Sequence, residues 1–252
     1  MKRTLITGYA LLLISFCACR TEYALTDIKG EPVKITSAYD QHPNPETASL
    51  IAHYKGKVDS IMLRVIGTSE TTLTKGRPES PLSNLIADIL RESATPYIGQ
   101  PADVALMNMG GIRNDLPAGE ITYGNIFEIA PFENTLCIVK MKGTDLLELF
   151  KNIAAVHGEG ISGAQLVISQ KGELIKASLS NGKEITPEKD YFLATIDYLA
   201  EGNDKMYALK DIADKQYPEH AILRELIIKH IETQTRMGKK IQAKLENRII
   251  IQ

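Results

Sequence analysis

The chain has 252 residues, of which 44% are hydrophobic and 24% charged, with a formal net charge of −2. This composition suffices for one good-sized domain with a real core and excludes a disordered or repetitive chain. A chain without basic surplus also argues against a nucleic-acid groove, which needs clustered cations.

The opening stretch "MKRTLITGYALLLISFCAC" places Lys2 and Arg3 before a short apolar run that ends in cysteines. That is the layout of a secretory signal peptide, here residues 1–18, and it is too short for a comfortable membrane span. The cleavage region "FCAC" resembles a relaxed lipobox: Ala18 supplies the small residue before Cys19, whereas Cys17 follows the bulky Phe16. The expectation is a lipoprotein anchored to the cell envelope through lipid on Cys19, periplasmic or surface-exposed. Plain secretion, with both cysteines discarded, is the alternative. Removing residues 1–18 takes away two basic residues and no acid, which leaves a net charge of −4. Cys137 is then the only other cysteine; inside "TLCIVKM" it reads as a small buried hydrophobe.

Residues 19–45 form a polar leader with the breakers of "QHPNPET", and the domain is expected over 46–252. Leu50, Tyr54, Val58, Ile61, Met62 and Val65 recur at helical spacing and predict a connecting helix over 46–66. "SPLSNLIADILRESA" predicts a second helix, capped by Ser80, started by Pro81, and buried along Leu82, Leu85, Ile86, Ile89 and Leu90. "ADVALMN" and "TLCIVKMKG" are continuous apolar runs of strand length, which implies strands covered on both faces. Thr144 is expected to cap a helix through "DLLELFKNIAAV", with Gly158 ending it. "AQLVISQ", "ELIKASLS" and "DYFLATI" read as strands separated by turns at "QKGE" and "SNGKE", with Asn181 and Gly182 offering positive φ for a tight hairpin. An amphipathic helix "EHAILRELIIKHIETQ" and a terminal strand "RIIIQ" complete one α/β domain with a mixed sheet.

The stretch "ALMNMGGIRNDL" interrupts this pattern. A buried strand ending in Gly110 and Gly111 lets backbone amides approach a ligand without Cβ interference, a geometry suited to anions. Arg113 adds a planar fork for phosphate or paired hydroxyls, and Asn108 can donate and accept along a base edge. A plain turn followed by a solvated arginine is the alternative.

An ordered series, "ESPLSNLIADIL", "DVALMNMGGIRNDLPAGEITYGNIFEIAPFENTLCIVKMKGTDL", "GISGAQLVI" and "YFLATIDYLAEGND", resembles the C-terminal domain of the 5'-nucleotidases over about residues 46–235. The resemblance implies a four-layer α/β/β/α domain with mixed sheets that binds the nucleoside part of a nucleotide. It also implies that phosphate cleavage belongs to a separate metallophosphoesterase domain carrying two metal ions. In this family Asn108 would address the base and Arg113 of "GGIR" the ribose or phosphate oxygens. Tyr198 stands where a phenylalanine usually stacks on the base, Asp204 matches an acid that binds ribose hydroxyls, and Arg77 lies beside a second substrate arginine.

Two departures stand out. Ala164 and Gln165 occupy the segment expected to carry a first stacking aromatic, and "GND" replaces the family's "GGD", with Asn203 for the second glycine. His42, His53, His157, His220 and His230 are scattered without partnered carboxylates; His220 and His230 are expected on one surface helix, too far apart to share a metal. No catalytic residue, metal or cofactor is therefore expected in this chain, and a divalent metal pair is expected only in a partner metallophosphoesterase. The resulting expectation is the nucleotide- or nucleoside-recognition subunit of a split 5'-nucleotidase-type phosphohydrolase. A non-catalytic envelope lipoprotein that binds nucleosides or another small ligand is the alternative, and a scaffold without a site is the third.

Overall fold

A computed structural model describes residues 25–252. The expected signal peptide, Cys17 and Cys19, the expected site of lipidation, lie outside the described residues. The chain divides into two units at Leu50 and Ile51. Among its described residues the first unit contains a 3-10 turn, Ser37–Gln41, and the start of helix α1, Pro45–Met62. The helix stops short of the expected residue 66 because Val65 opens strand β1 (Val65–Ser69), where it pairs with Thr122. None of the α1 side chains is buried; Leu50, Tyr54, Val58 and Ile61 point their apolar stripe outward.

The second unit carries the core. Helix α2 (Pro81–Ser93) starts as its residues dictate: Ser80 Oγ accepts the Ser83 N–H at 3.3 Å, Ser83 Oγ accepts the Ser80 N–H at 3.1 Å, and Pro81 fills the first helical position. Its predicted stripe from Leu82 to Leu90 is buried. A short helix α3 (Thr95–Ile98) ends on the left-handed Gly99 and leads into the buried strand β2 (Val104–Met107). Strand β3 (Gly119–Thr122), helix α4 (Tyr123–Ile129), strand β4 (Leu136–Lys142) and helix α5 (Gly143–Ala155) follow.

Thr144 does not cap α5. The Gly143 and Thr144 amides donate to the carbonyls of Lys189 (2.9 Å) and Pro187 (3.1 Å), so backbone takes the place of a side-chain cap. This closeness needs the glycine, since a Cβ on Gly143 would lie 2.1 Å from the Thr186 carbonyl oxygen. At the other end Gly158, with φ 102°, terminates α5 by donating to Ile153 O at 3.0 Å.

Strands β5 (Gly160–Ser162), β6 (Ala164–Ile168), β7 (Leu174–Leu179) and β8 (Asp190–Ile196) come next. The "QKGE" turn joins β6 and β7 as an antiparallel pair. The "SNGKE" turn does not make a hairpin with β8, because β7 and β8 belong to different sheets. Gly182 alone takes positive φ there, while Asn181 closes the turn through its side chain, accepting the Lys183 N–H at 3.0 Å. Helix α6 (Asp197–Ala200), strand β9 (Lys215–Gln216), helix α7 (Leu223–Arg236) and strand β10 (Ile249–Ile251) complete the unit. Helix α7 begins four residues later than predicted, since Ile222 bridges Thr135 and the Leu223 amide donates to Asn134 O. His220 therefore sits in a turn outside the helix, with φ 59°, and α7 buries Leu223, Ile227, Ile228 and Ile231 rather than lying on the surface.

The result is a mixed α/β fold with several sheets. The five-stranded sheet runs β5-β2-β8-β4-β9, the three-stranded one β10-β6-β7, and β1 pairs with β3. Helix α2 packs on β5, β2 and β8, helix α5 on β4, β8 and β7, and helix α7 on β1, α2 and α4. No helix among the described residues is long and apolar enough to cross a membrane.

Candidate functional site

Topology gathers the site before any side chain is considered. Strands β2 and β8 are parallel neighbours, with Val104 opposite Leu193, so their carboxyl ends emerge at one edge of the five-stranded sheet. Such an edge is where open sheets receive ligands. Strands β4 and β5 run antiparallel to those two and therefore begin at the same edge. Strand β2 delivers Asn108 and the 3-10 turn Met109–Gly111; β8 delivers Tyr198 on α6 and Asp204 beyond it; the approach to β4 brings Phe132 and Asn134.

A cavity of about 330 Å³ lies there. Asn108, Gly110, Gly111, Arg113, Tyr198 and Asp204, all singled out from the sequence, line it together. Asn108 is buried, and its Nδ2 donates to Asp204 Oδ2 at 2.5 Å. Its Oδ1 is buried beside Gly111 and has no hydrogen-bond partner. Asp204 Oδ1 accepts the Tyr198 hydroxyl at 3.0 Å, and this carboxylate holds the phenol pKa above its ordinary value. Gly111 packs closely here: a Cβ would lie 2.7 Å from Asn108 Oδ1 and 2.6 Å from Met107 Cε, so both side chains would have to move. Arg113 donates from Nη1 to Gly110 O at 3.1 Å, and its guanidinium sits 6.0 Å from the centre of the Phe132 ring.

Asn203 does not replace a glycine in a left-handed position. The positive φ falls on Gly202, Asp204 and Lys205 instead, and Asn203 Nδ2 donates to the Tyr198 carbonyl at 2.8 Å, tying the turn back to α6. Arg77 is not among the residues that line the cavity. Its Nε donates to Gly158 O at 2.7 Å and its Nη2 to the carboxylate of Glu159, behind the Met109–Gly111 turn. Burial raises the Glu159 carboxyl pKa above its ordinary value, against the opposing pull of the Met109 N–H and Arg77.

The missing aromatic is supplied from elsewhere. Ala164 and Gln165 lie on β6, in the three-stranded sheet, and neither lines the cavity. Phe132 does, together with Tyr198. Among the described residues the one ring-to-ring contact is His53 with Tyr54, so Phe132 and Tyr198 face the cavity without stacking on each other. The sequence signal was "PFEN", an aromatic just ahead of a buried strand, and it acquires meaning only once β4 is known to start at this edge.

The donor set does not fit a metal pair. Asp204 is the sole carboxylate lining the cavity, no histidine or cysteine lines it, and no cluster of three potential metal ligands exists among the described residues. Cys137 is fully buried, and burial pushes its thiol up to about 11, far from a reactive thiolate.

Comparison with known proteins gives the site a context. The sequence model of the family described as "5'-nucleotidase, C-terminal domain" matches residues 65–211. Endonuclease YhcR of Bacillus subtilis is 31% identical over 172 residues, covering 66% of this chain and 14% of that protein. Protein UshA of Yersinia enterocolitica is 31% identical over 135 residues, covering 51% of this chain and 24% of that protein. The crystal structure of a 5'-nucleotidase precursor from Thermus thermophilus superposes with a TM-score of 0.68 at 26% identity, over 81% of this chain and 42% of that one. The chain thus spans less than half the length of each of these proteins.

Proposed function

Because the chain belongs to the 5'-nucleotidase C-terminal domain family, we propose that it recognises a nucleotide or nucleoside and presents it to a separately encoded metallophosphoesterase. The observation that carries this reading is the cavity at the β2 and β8 ends, which Asn108, Arg113, Phe132, Tyr198 and Asp204 line together. A purine or pyrimidine face packs on Phe132 or Tyr198. Asn108 meets a polar edge of the ligand, Asp204 takes a ribose hydroxyl, and Arg113 meets the phosphate as a planar fork. No residue on this edge is arranged to activate water, and the expected divalent metal pair belongs to the partner.

Anchoring at the cell envelope through Cys19 belongs to the same proposal, because it would hold the recognition module near an enveloped partner. The alternative is ligand capture without any catalytic partner. The two separate in a phosphatase assay with AMP. In the split-enzyme reading, the chain alone with added divalent metals is inactive and raises the activity of the partner metallophosphoesterase. In the capture reading, the chain binds AMP and leaves that activity unchanged.

A further inference from the structure

We infer that Glu159 is a positioning residue of this cavity, acting through the Met109–Gly111 turn with Arg77 as its anchor; the reading rests on the recognition role proposed above. Strand β5 runs antiparallel to β2 with Gly160 opposite Met107, so the same register carries Glu159 to the level of Asn108. The side chain is 1% exposed. One carboxylate oxygen accepts the Met109 N–H, the first amide of the turn, and the other accepts from Arg77 Nη2. Arg77 in turn holds Gly158 O through its Nε at 2.7 Å.

The flanking glycines explain how a carboxylate reaches so deep. A Cβ on Gly158 would stand 2.4 Å from the Pro78 carbonyl oxygen, and one on Gly160 would stand 3.0 Å from Ser83 on α2. The "GEG" stretch therefore lies flush against its neighbours and turns Glu159 inward behind the cavity wall. A buried carboxylate with this environment is costly to keep ionised, and a hydrophobic or amide side chain would serve the fold at less cost. Its contacts instead fix the turn that aims Asn108, Gly110 and Arg113. Arg77, though basic and close by, is spent on holding that carboxylate and leaves Arg113 as the cation lining the cavity.

The test uses Glu159→Ala and Glu159→Gln in the folded chain, read by amide hydrogen exchange at Met109–Gly111 without ligand and by calorimetric titration with adenosine. Glu159→Ala removes the acceptor of the Met109 amide and is expected to speed exchange across the turn at least tenfold and to weaken adenosine about tenfold. Glu159→Gln keeps one acceptor oxygen for the Met109 N–H and gives up the Arg77 Nη2 contact, which the half-exposed Arg77 can replace with water; it is expected to stay within about twofold of wild type in both readouts. Unchanged exchange in Glu159→Ala overturns the inference, as does equal loss in both variants. If Glu159→Ala does not fold, Glu159→Gln decides: exchange faster by tenfold or more overturns the inference, and near-wild-type exchange supports it. The exchange measurement stands apart from ligand identity, so a wild-type chain that binds no adenosine contradicts the recognition role and leaves the positioning role to be decided by exchange alone.

Discussion

The Tyr198 hydroxyl donates to Asp204 at 3.0 Å, so this side chain offers a ring to the cavity and also orients the acid beside it. Two substitutions separate the roles. Tyr198→Phe keeps the ring and frees Asp204, and is expected to weaken adenosine by about 0.5–1.5 kcal/mol. Tyr198→Ala removes the ring as well, with a further loss of about 1–3 kcal/mol. Both should affect adenosine and AMP alike in titration calorimetry, and a Tyr198→Phe loss as large as that of Tyr198→Ala would refute the stacking role. Arg113→Ala is different: a charge-assisted contact with phosphate predicts a loss of about 1.5–3 kcal/mol for AMP, roughly ten- to a hundredfold, and little change for adenosine. Equal losses for the two ligands would remove Arg113 from the phosphate. Glu159 gives a pH prediction. Its folded-state pKa is raised above the ordinary value of 4.5, mainly by burial. The native state therefore holds that proton more tightly than the unfolded chain, and this contribution to stability, full at low pH, is lost as pH rises from about 4.5 through the raised value. Glu159→Gln should flatten the fall in thermal stability over that window and leave the neutral-pH midpoint equal or higher; a steeper fall would contradict the sign.

The elements differ in how openly the chain declares them. Helix α2 was legible because cap, proline and apolar stripe agree, and Ser80→Ala should cost about 1 kcal/mol. A thermal melt should show this as a midpoint about 2–4 °C lower, and an unchanged midpoint would mean the capping box is idle. The buried strands β2 and β4 were legible from unbroken apolar runs. The start of α5 was not, because a glycine and the carbonyls of Pro187 and Lys189 do what Thr144 was expected to do, and those partners lie more than forty residues away. The β7–β8 turn looked like a hairpin for a related reason: local chemistry makes the turn, whereas sheet membership is decided by distant pairing. At the site, Asn108, the two glycines, Arg113, Tyr198 and Asp204 could be named from motifs and converge in one cavity. Phe132, Asn134 and Glu159 could not, since each is an ordinary residue in an ordinary context until the register of β4, β5 and β8 brings it to the same edge.

On the scale of the whole molecule, the chain carries a 5'-nucleotidase C-terminal domain, and the proposal assigns the chemistry of hydrolysis to a separate partner. Mass spectrometry of the membrane-extracted protein should find the acylated N-terminus at Cys19, and a water-soluble form that begins elsewhere would refute the anchor. The central claim is narrower than either the partner or the anchor: the edge formed by β2 and β8 is a nucleoside- or nucleotide-binding site. Titration calorimetry of the purified chain with adenosine and AMP tests it most directly. Saturable binding of both ligands at one site, weakened about five- to a hundredfold in Phe132→Ala as in Tyr198→Ala, is the predicted result. No heat of binding for either ligand at millimolar concentration, from a folded chain, would contradict it.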